Sequence, residues 1–175
     1  MNLLWIGTTV FNNEQGEYRL DNPRIEQTAL SSAAWAISAE GRHRAVTFAE
    51  PFDPADAESR KKVADKADFL LVIQSGTAPD VVYRTNQVMR GVGVLQRSMF
   101  GLTPRAVVHA VLQGELFDVR TGESLGKTRA TEFVDAPAFL ETGPRIPAAS
   151  LEQTLESAAT RVKGAAITLV KDLGL

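Results

Sequence analysis

The chain has 175 residues, of which 44% are hydrophobic and 23% charged, with a formal net charge of -2. These are the values of a globular protein able to bury a core, not of a disordered chain. The near-neutral balance gives no electrostatic case for nucleic acid, which needs clustered positive charge. There is no cysteine, so a disulfide scaffold and a cysteine-based zinc site are excluded.

No apolar run approaches the ~20 residues that a transmembrane helix needs. The opening Met-Asn-Leu-Leu-Trp-Ile-Gly lacks the basic n-region of a signal peptide. A cytoplasmic location is expected if Met1 is the native start. A periplasmic or outer-membrane-associated one is expected if the chain is the mature part of a longer precursor.

Residues 3–11 are apolar at nearly every position and then break into Asn12-Asn13-Glu14-Gln15-Gly16, which predicts a strand buried on both faces followed by a turn. Asn22-Pro23 starts a helix, with Asn as cap and Pro at the first helical position. Ile25, Ala29, Ala33 and Ile37 form its stripe, flanked by Leu30 and Ala34, and Gly41 stops it. A short strand is expected at 45–48. Asp53-Pro54 repeats the cap-and-proline start for a charged helix reaching Asp68, and residues 69–73 read as a central strand. At the far end, Ser150-Leu151-Glu152-Gln153 has the pattern of a capping box. Leu151, Leu155, Ala158, Val162, Ala165, Leu169 and Leu173 then make the strongest helical stripe in the chain, ended by Gly174.

The stretch 105–133 reads as a long β-hairpin. Ala106, Val108, Ala110, Leu112, Gly114 and Leu116 share one face at period two; Val107, His109, Val111, Gln113, Glu115 and Phe117 share the other. Asp118 to Glu123 makes the turn, with the Asp118 side chain accepting backbone N–H groups ahead of it and Gly122 taking a positive φ. Strands alternating with helices and then a hairpin predict a single α/β domain, a mixed sheet with helices packed on it in the order β-α-β-α-β-β-β-α.

The connection 77–104 is unusually long, and connections of that length are often functional. Val88, Val92, Leu95 and Met99 would line one face of a helix. Gly91 and Gly93 argue against a helix, each costing ~1 kcal/mol relative to Ala. A strand through 92–99 is the other option. Tyr83, Arg84, Met89, Arg90, Arg97, Met99 and Phe100 are the residue types enriched at protein interfaces, and they form the candidate partner-binding set. The competing reading folds the apolar members over an open face or edge of the sheet.

Catalytic signatures are weak. Gly91-Val92-Gly93 has Gln96 where a dinucleotide-binding motif needs a small residue. Ser75 stands in Gln-Ser-Gly rather than in a nucleophile elbow. A Ser75, His109 and Asp118 triad can be written down, but His109 reads as an ordinary strand residue and Asp118 as a turn former. His43 follows a helix end, where a cation suits the dipole. Asp53, Asp56 and Glu58 suit a helix amino terminus. Lys127 and Arg129 are expected to pair across the hairpin with Glu115 and Gln113, each pair contributing well under ~1 kcal/mol. No metal, cofactor or catalytic residue is expected.

The segments Ala67-Asp68-Phe69-Leu70-Leu71-Val72-Ile73 and Leu116-Phe117-Asp118-Val119-Arg120-Thr121-Gly122-Glu123 resemble paired stretches of a bacterial envelope superfamily. That superfamily includes the curli secretion lipoprotein CsgG, the amino-terminal domain of TolB and peptidoglycan-synthesis activators such as LpoB. Thr8-Thr9-Val10-Phe11-Asn12-Asn13 resembles its first strand, and the last helix fits as well. The resemblance implies a TolB amino-terminal-domain-like fold. It also implies a non-catalytic accessory or assembly role in the cell envelope, through contacts with an envelope protein or with itself. The lipobox cysteine is missing, so lipid attachment does not carry over. The alternatives are a small hydrolase or transferase with a site near 77–104, and a cytosolic ligand-binding domain.

Overall fold

The structure is a computed structural model, and it describes residues 2–8, 13–19, 24–43, 45–97, 105–136 and 148–175. It is a mixed α/β fold. In chain order the elements are β1 (Asn2–Thr8), β2 (Asn13–Arg19), α1 (Arg24–Ala39), α2 (Ala57–Ala64), β3 (Phe69–Ser75), β4 (Thr77–Pro79), β5 (Val88–Arg90), β6 (Val92–Arg97), β7 (Arg105–Asp118), β8 (Ser124–Ala136) and α3 (Ala148–Asp172). The main sheet runs β2-β1-β6-β7, and among the described residues only β1 and β6 are parallel.

The predicted hairpin is β7 and β8, and it organises the sheet. Along one edge β7 carries β8 from Ala106–Ala136 to Phe117–Ser124. Its other edge is shared: β6 takes the first half, Arg105 to Ala110, and β3 the second, Leu112 to Asp118. The turn forms as its residues dictate. The Asp118 carboxylate accepts the N–H groups of Arg120 and Thr121 at 2.8 and 2.9 Å, and Gly122 has φ +76°.

The two faces of β7 meet different partners. Val108, Ala110, Leu112 and Leu116 pack with the stripe of α3, Ala158, Val162, Ala165 and Leu169, and with Ile25, Ala29, Ala33 and Ile37 of α1. Helix α3 lies over β7 and β8, and α1 packs beside α3 rather than on the strands. Helix α3 ends through the Leu175 N–H to Val170 carbonyl bond, with Gly174 at φ +74°.

Several expectations need correction. Strand β3 is not central: its only ladder among the described residues is with β7. No strand forms at 45–48. The residues Asn13-Glu14-Gln15-Gly16, expected as a turn, begin β2, because pairing with β1 outweighs their own low strand preference. Helix α2 is shorter than expected. Asp53 closes a turn by accepting the Ala55 N–H, and Asp56 is the cap, accepting the Glu58 N–H at 3.1 Å. Ser150 lies inside α3, where its carbonyl accepts the Thr154 hydroxyl, so it is not the cap. Residues 9–12 and 20–23, which carry the end of the first apolar run and the Asn22-Pro23 signal, lie outside the described residues.

Candidate functional site

Strands β3 and β6 run in the same direction along the same edge of β7, end to end. Between them the chain leaves the sheet as β4, turns at 80–87 and returns as β5, with Thr77 opposite Arg90 and Pro79 opposite Val88. The connection that looked irregular in sequence is thus an arm, a small hairpin inserted into what would otherwise be one strand. Its root is a ring of three backbone bonds. The Gly76 N–H donates to Val111 O at 2.9 Å, Val111 N–H to Gly91 O at 2.6 Å, and Gly91 N–H to Gly76 O at 2.9 Å. Glycine fits here for two reasons. Gly91 sits at φ +51°, and a Cβ on Gly76 would lie 3.1 Å from the Leu112 backbone.

Asp80 fixes the tip. Its carboxylate accepts the N–H groups of Val82, Tyr83 and Thr85 at 3.0, 2.9 and 3.1 Å and the Thr85 hydroxyl at 2.6 Å. Burial works against the charge, but the hydrogen bonds from Thr85 and the backbone prevail and hold the carboxyl below its ordinary value. The charge is therefore in place at neutral pH and serves to shape the loop.

The arm lies on the face of the sheet opposite the helices. Met89 and Ala78 pack on Leu95, Val107 and Val111, with Val82 and Tyr83 at the margin. Met89 is fully buried. It is core of this second layer and not a partner-contact residue, because its position in β5 turns it onto β7. Tyr83 is half-buried; burial first, then the charges of Asp135 and Asp80, push its phenol up to about 12. Arg97 donates to the Tyr83 carbonyl at 3.2 Å and braces the arm. Arg84 and Arg90 are exposed, with Arg84 at φ +52° in the turn. Val81 and Val88 are also exposed on the arm. Sequence reasoning passed over Val81 and read Val88 only as part of one face of a possible helix. Met99 and Phe100 lie outside the described residues.

The conceivable triad does not assemble. Ser75 stands opposite Leu112 in the β3–β7 ladder and so faces the helix side. His109 is three positions from Leu112 on β7 and faces the arm. Asp118 is at the far end of β7, opposite Phe69, and is spent on its turn. His109 is completely buried, and neither ring nitrogen has a hydrogen bond of good geometry. Burial pushes its pKa down to about 4, against smaller opposing effects of the Arg90 backbone and the Asp80 charge. Gly91 and Gly93 belong to the strand junction and to β6, not to a turn that opens a helix. Among the described residues no group of acidic and histidine side chains could hold a metal ion. Lys127 does reach Glu115, at 3.2 Å, as its cross-strand register predicts. Arg129 instead reaches over to the Thr77 carbonyl at 2.7 Å, another brace on the arm.

On the helix side, α1 leaves the inner face of β3 only partly covered. A groove of about 2150 Å³ runs there between α1, the 45–52 segment and β3, lined by Ala33, Ile37, Phe48, Leu71 and Ile73. His43 opens onto it. Among the described residues no helix is long and apolar enough to cross a membrane. No protein-family model matches the chain, and no curated protein shows significant similarity to it.

Proposed function

We propose that this chain is a non-catalytic accessory or assembly protein of the bacterial cell envelope that works through protein–protein contacts, with the arm as its contact element. The observation that carries the reading is the arm itself. Its inner side is packed and its turn is pinned by four bonds to one carboxylate, so the outer side is presented in a fixed shape. The arm also bears two exposed apolar residues, Val81 and Val88, and two exposed arginines, Arg84 and Arg90. Arginine is enriched at protein interfaces, and a pre-ordered loop gives up little entropy on binding. The envelope assignment rests on the resemblance of the β3 and β7 turn segments to the CsgG, TolB and LpoB superfamily.

Photo-crosslinking in cells tests the reading. A crosslinkable residue replacing Val81 is expected to give a discrete protein adduct that disappears when Arg84→Glu and Arg90→Glu are added. The same residue replacing Lys61 on α2 is expected to give none. No adduct from position 81, or an equal one from position 61, would overturn it. The groove favours a second reading, a domain that binds an apolar ligand. It predicts that a fluorescent fatty-acid probe binds saturably and is lost on Ile73→Glu, whereas non-saturable binding would eliminate it.

A further inference from the structure

The arm occupies one side of β7; the other side carries β8, whose far edge has no ladder among the described residues. A thirteen-residue strand is long for an open edge. The backbone groups it offers follow from the ring at the arm root. Val111 spends its N–H on Gly91 and its carbonyl on Gly76, both away from β8. Val111 and its partner Thr131 are therefore a non-hydrogen-bonded pair in the β7–β8 ladder, and the N–H and C=O of Thr131 point outward. The same holds at every second residue, so Lys127, Arg129, Phe133 and Asp135 also present their backbone groups to the open edge.

The side chains of this edge are divided by sign. Lys127 and Arg129 precede Thr131, and Glu132 and Asp135 follow it. An antiparallel partner with the same sequence, related by a twofold axis through Thr131, sets Lys127 against Asp135 and Arg129 against Phe133, twice each. A shift of two residues moves the axis to residue 132 or 130: the first pairs Arg129 with Asp135 but sets Glu132 against itself, and the second leaves Lys127 and Arg129 with no acid opposite. The existing contacts are compatible. Lys127 holds Glu115 at 3.2 Å yet remains half-exposed, and Phe133 is exposed. Arg129 bonds Thr77 through one nitrogen, leaving the plane of its guanidinium to an aromatic ring.

We propose that β8 is a self-association edge, at which a second copy of this chain adds its own β8 antiparallel about Thr131 and extends the sheet across a twofold axis. This surface lies on the opposite edge of β7 from the arm and does not depend on the arm's role. A C2 interface of this kind is self-complementary, as the division of charge requires.

The test uses the full chain. Light scattering after size exclusion is expected to give twice the 19.0 kDa of one chain. Thr131→Pro is expected to give the single-chain mass with an unchanged circular dichroism spectrum, because the N–H it removes faces outward and takes no part in pairing with β7. The chain has no cysteine, so Thr131→Cys is expected to form a disulfide dimer under mild oxidation. The two Cα atoms of a hydrogen-bonded antiparallel pair are about 5.5 Å apart, within disulfide range. Lys127→Cys is expected to form none. Should Thr131→Pro misfold, the charge swap decides. Lys127→Asp and Asp135→Lys should each weaken the dimer at least tenfold, and the double variant should restore it. A monomeric wild type overturns the proposal. So does a dimer that survives Thr131→Pro, one that Thr131→Cys fails to trap, or one indifferent to the charge swap.

Discussion

Leu112→Ala is expected to lower the unfolding free energy by ~2–5 kcal/mol, a large part of the 5–15 kcal/mol that a typical domain has in total. Leu112 is 1% exposed and belongs to the core between β7 and the two helices. The upper half of the range is expected because the site has little freedom to collapse. Its backbone lies within 3.1 Å of where a Cβ on Gly76 would be. The ring of bonds through Gly76, Val111 and Gly91 holds the strand one residue away. The small neighbours on its own face cannot fill the space: Ala110 has a single methyl fixed to the backbone and Gly114 has no side chain. Leu71→Ala is the comparison. Leu71 is only half-buried at the groove, so its loss should be clearly smaller. Urea unfolding of both variants measures this, and an unchanged midpoint for Leu112→Ala would refute the placement.

The contrast between these two leucines shows what could be read in advance. The alternation along β7 and the repeat along α3 are patterns of single elements, and both faces of the hairpin came out as the period predicts. What depends on which edge meets which was not legible. Residues 69–73 are the most apolar run in the chain, yet β3 is an edge strand. None of its residues is fully buried and Phe69 is exposed, because burial and the number of neighbours are properties of the whole sheet. The polar β2 is a strand because β1 offers it an edge. The arm is a third case. Gly91 and Gly93 counted only against a helix, yet Gly76 and Gly91 are the two points where one strand splits to let a hairpin out. The one local signal was Asp80, followed by turn residues and a threonine at position 85, the arrangement of a side chain that folds a loop around itself. That signal was not read in the sequence, and the packing of Met89 beneath the loop came only with the fold. At the candidate site the arginines could be picked out by type. Which of them brace the arm, as Arg97 does, and which face outward, as Arg84 and Arg90 do, depended on the register.

Lowering the pH from 7 to about 4 is expected to cost roughly 3 kcal/mol of stability through His109 alone. The imidazole is fully buried between the sheet and the arm, and burial pushes its pKa down from the ordinary value of 6.5 to about 4. The unfolded chain therefore takes up a proton before the folded one does. The sign follows: the stability is fully present above about 6.5 and is lost as the pH falls toward 4, at ~1.4 kcal/mol per unit of difference. The charged group facing the ring from the arm is Asp80, whose four hydrogen bonds are committed to its own loop. From β6 the opposing residue is Gly93 and from β8 it is Phe133, so neither strand supplies an acid directly across. Asp80, Asp56, Asp118 and Glu115 all have lowered values. Their own losses begin only as the pH falls through the carboxylate range, and the slope between pH 6.5 and 5 belongs to His109. His109→Leu is expected to flatten that slope. It should not destabilise the protein at pH 7, because the ring it removes has two buried nitrogens with no hydrogen bond of good geometry. Denaturant midpoints of the wild type and the variant at pH 7 and pH 5 measure the difference. A wild-type midpoint that does not move, or one that falls equally in the variant, would show that His109 is not what couples the arm to acid.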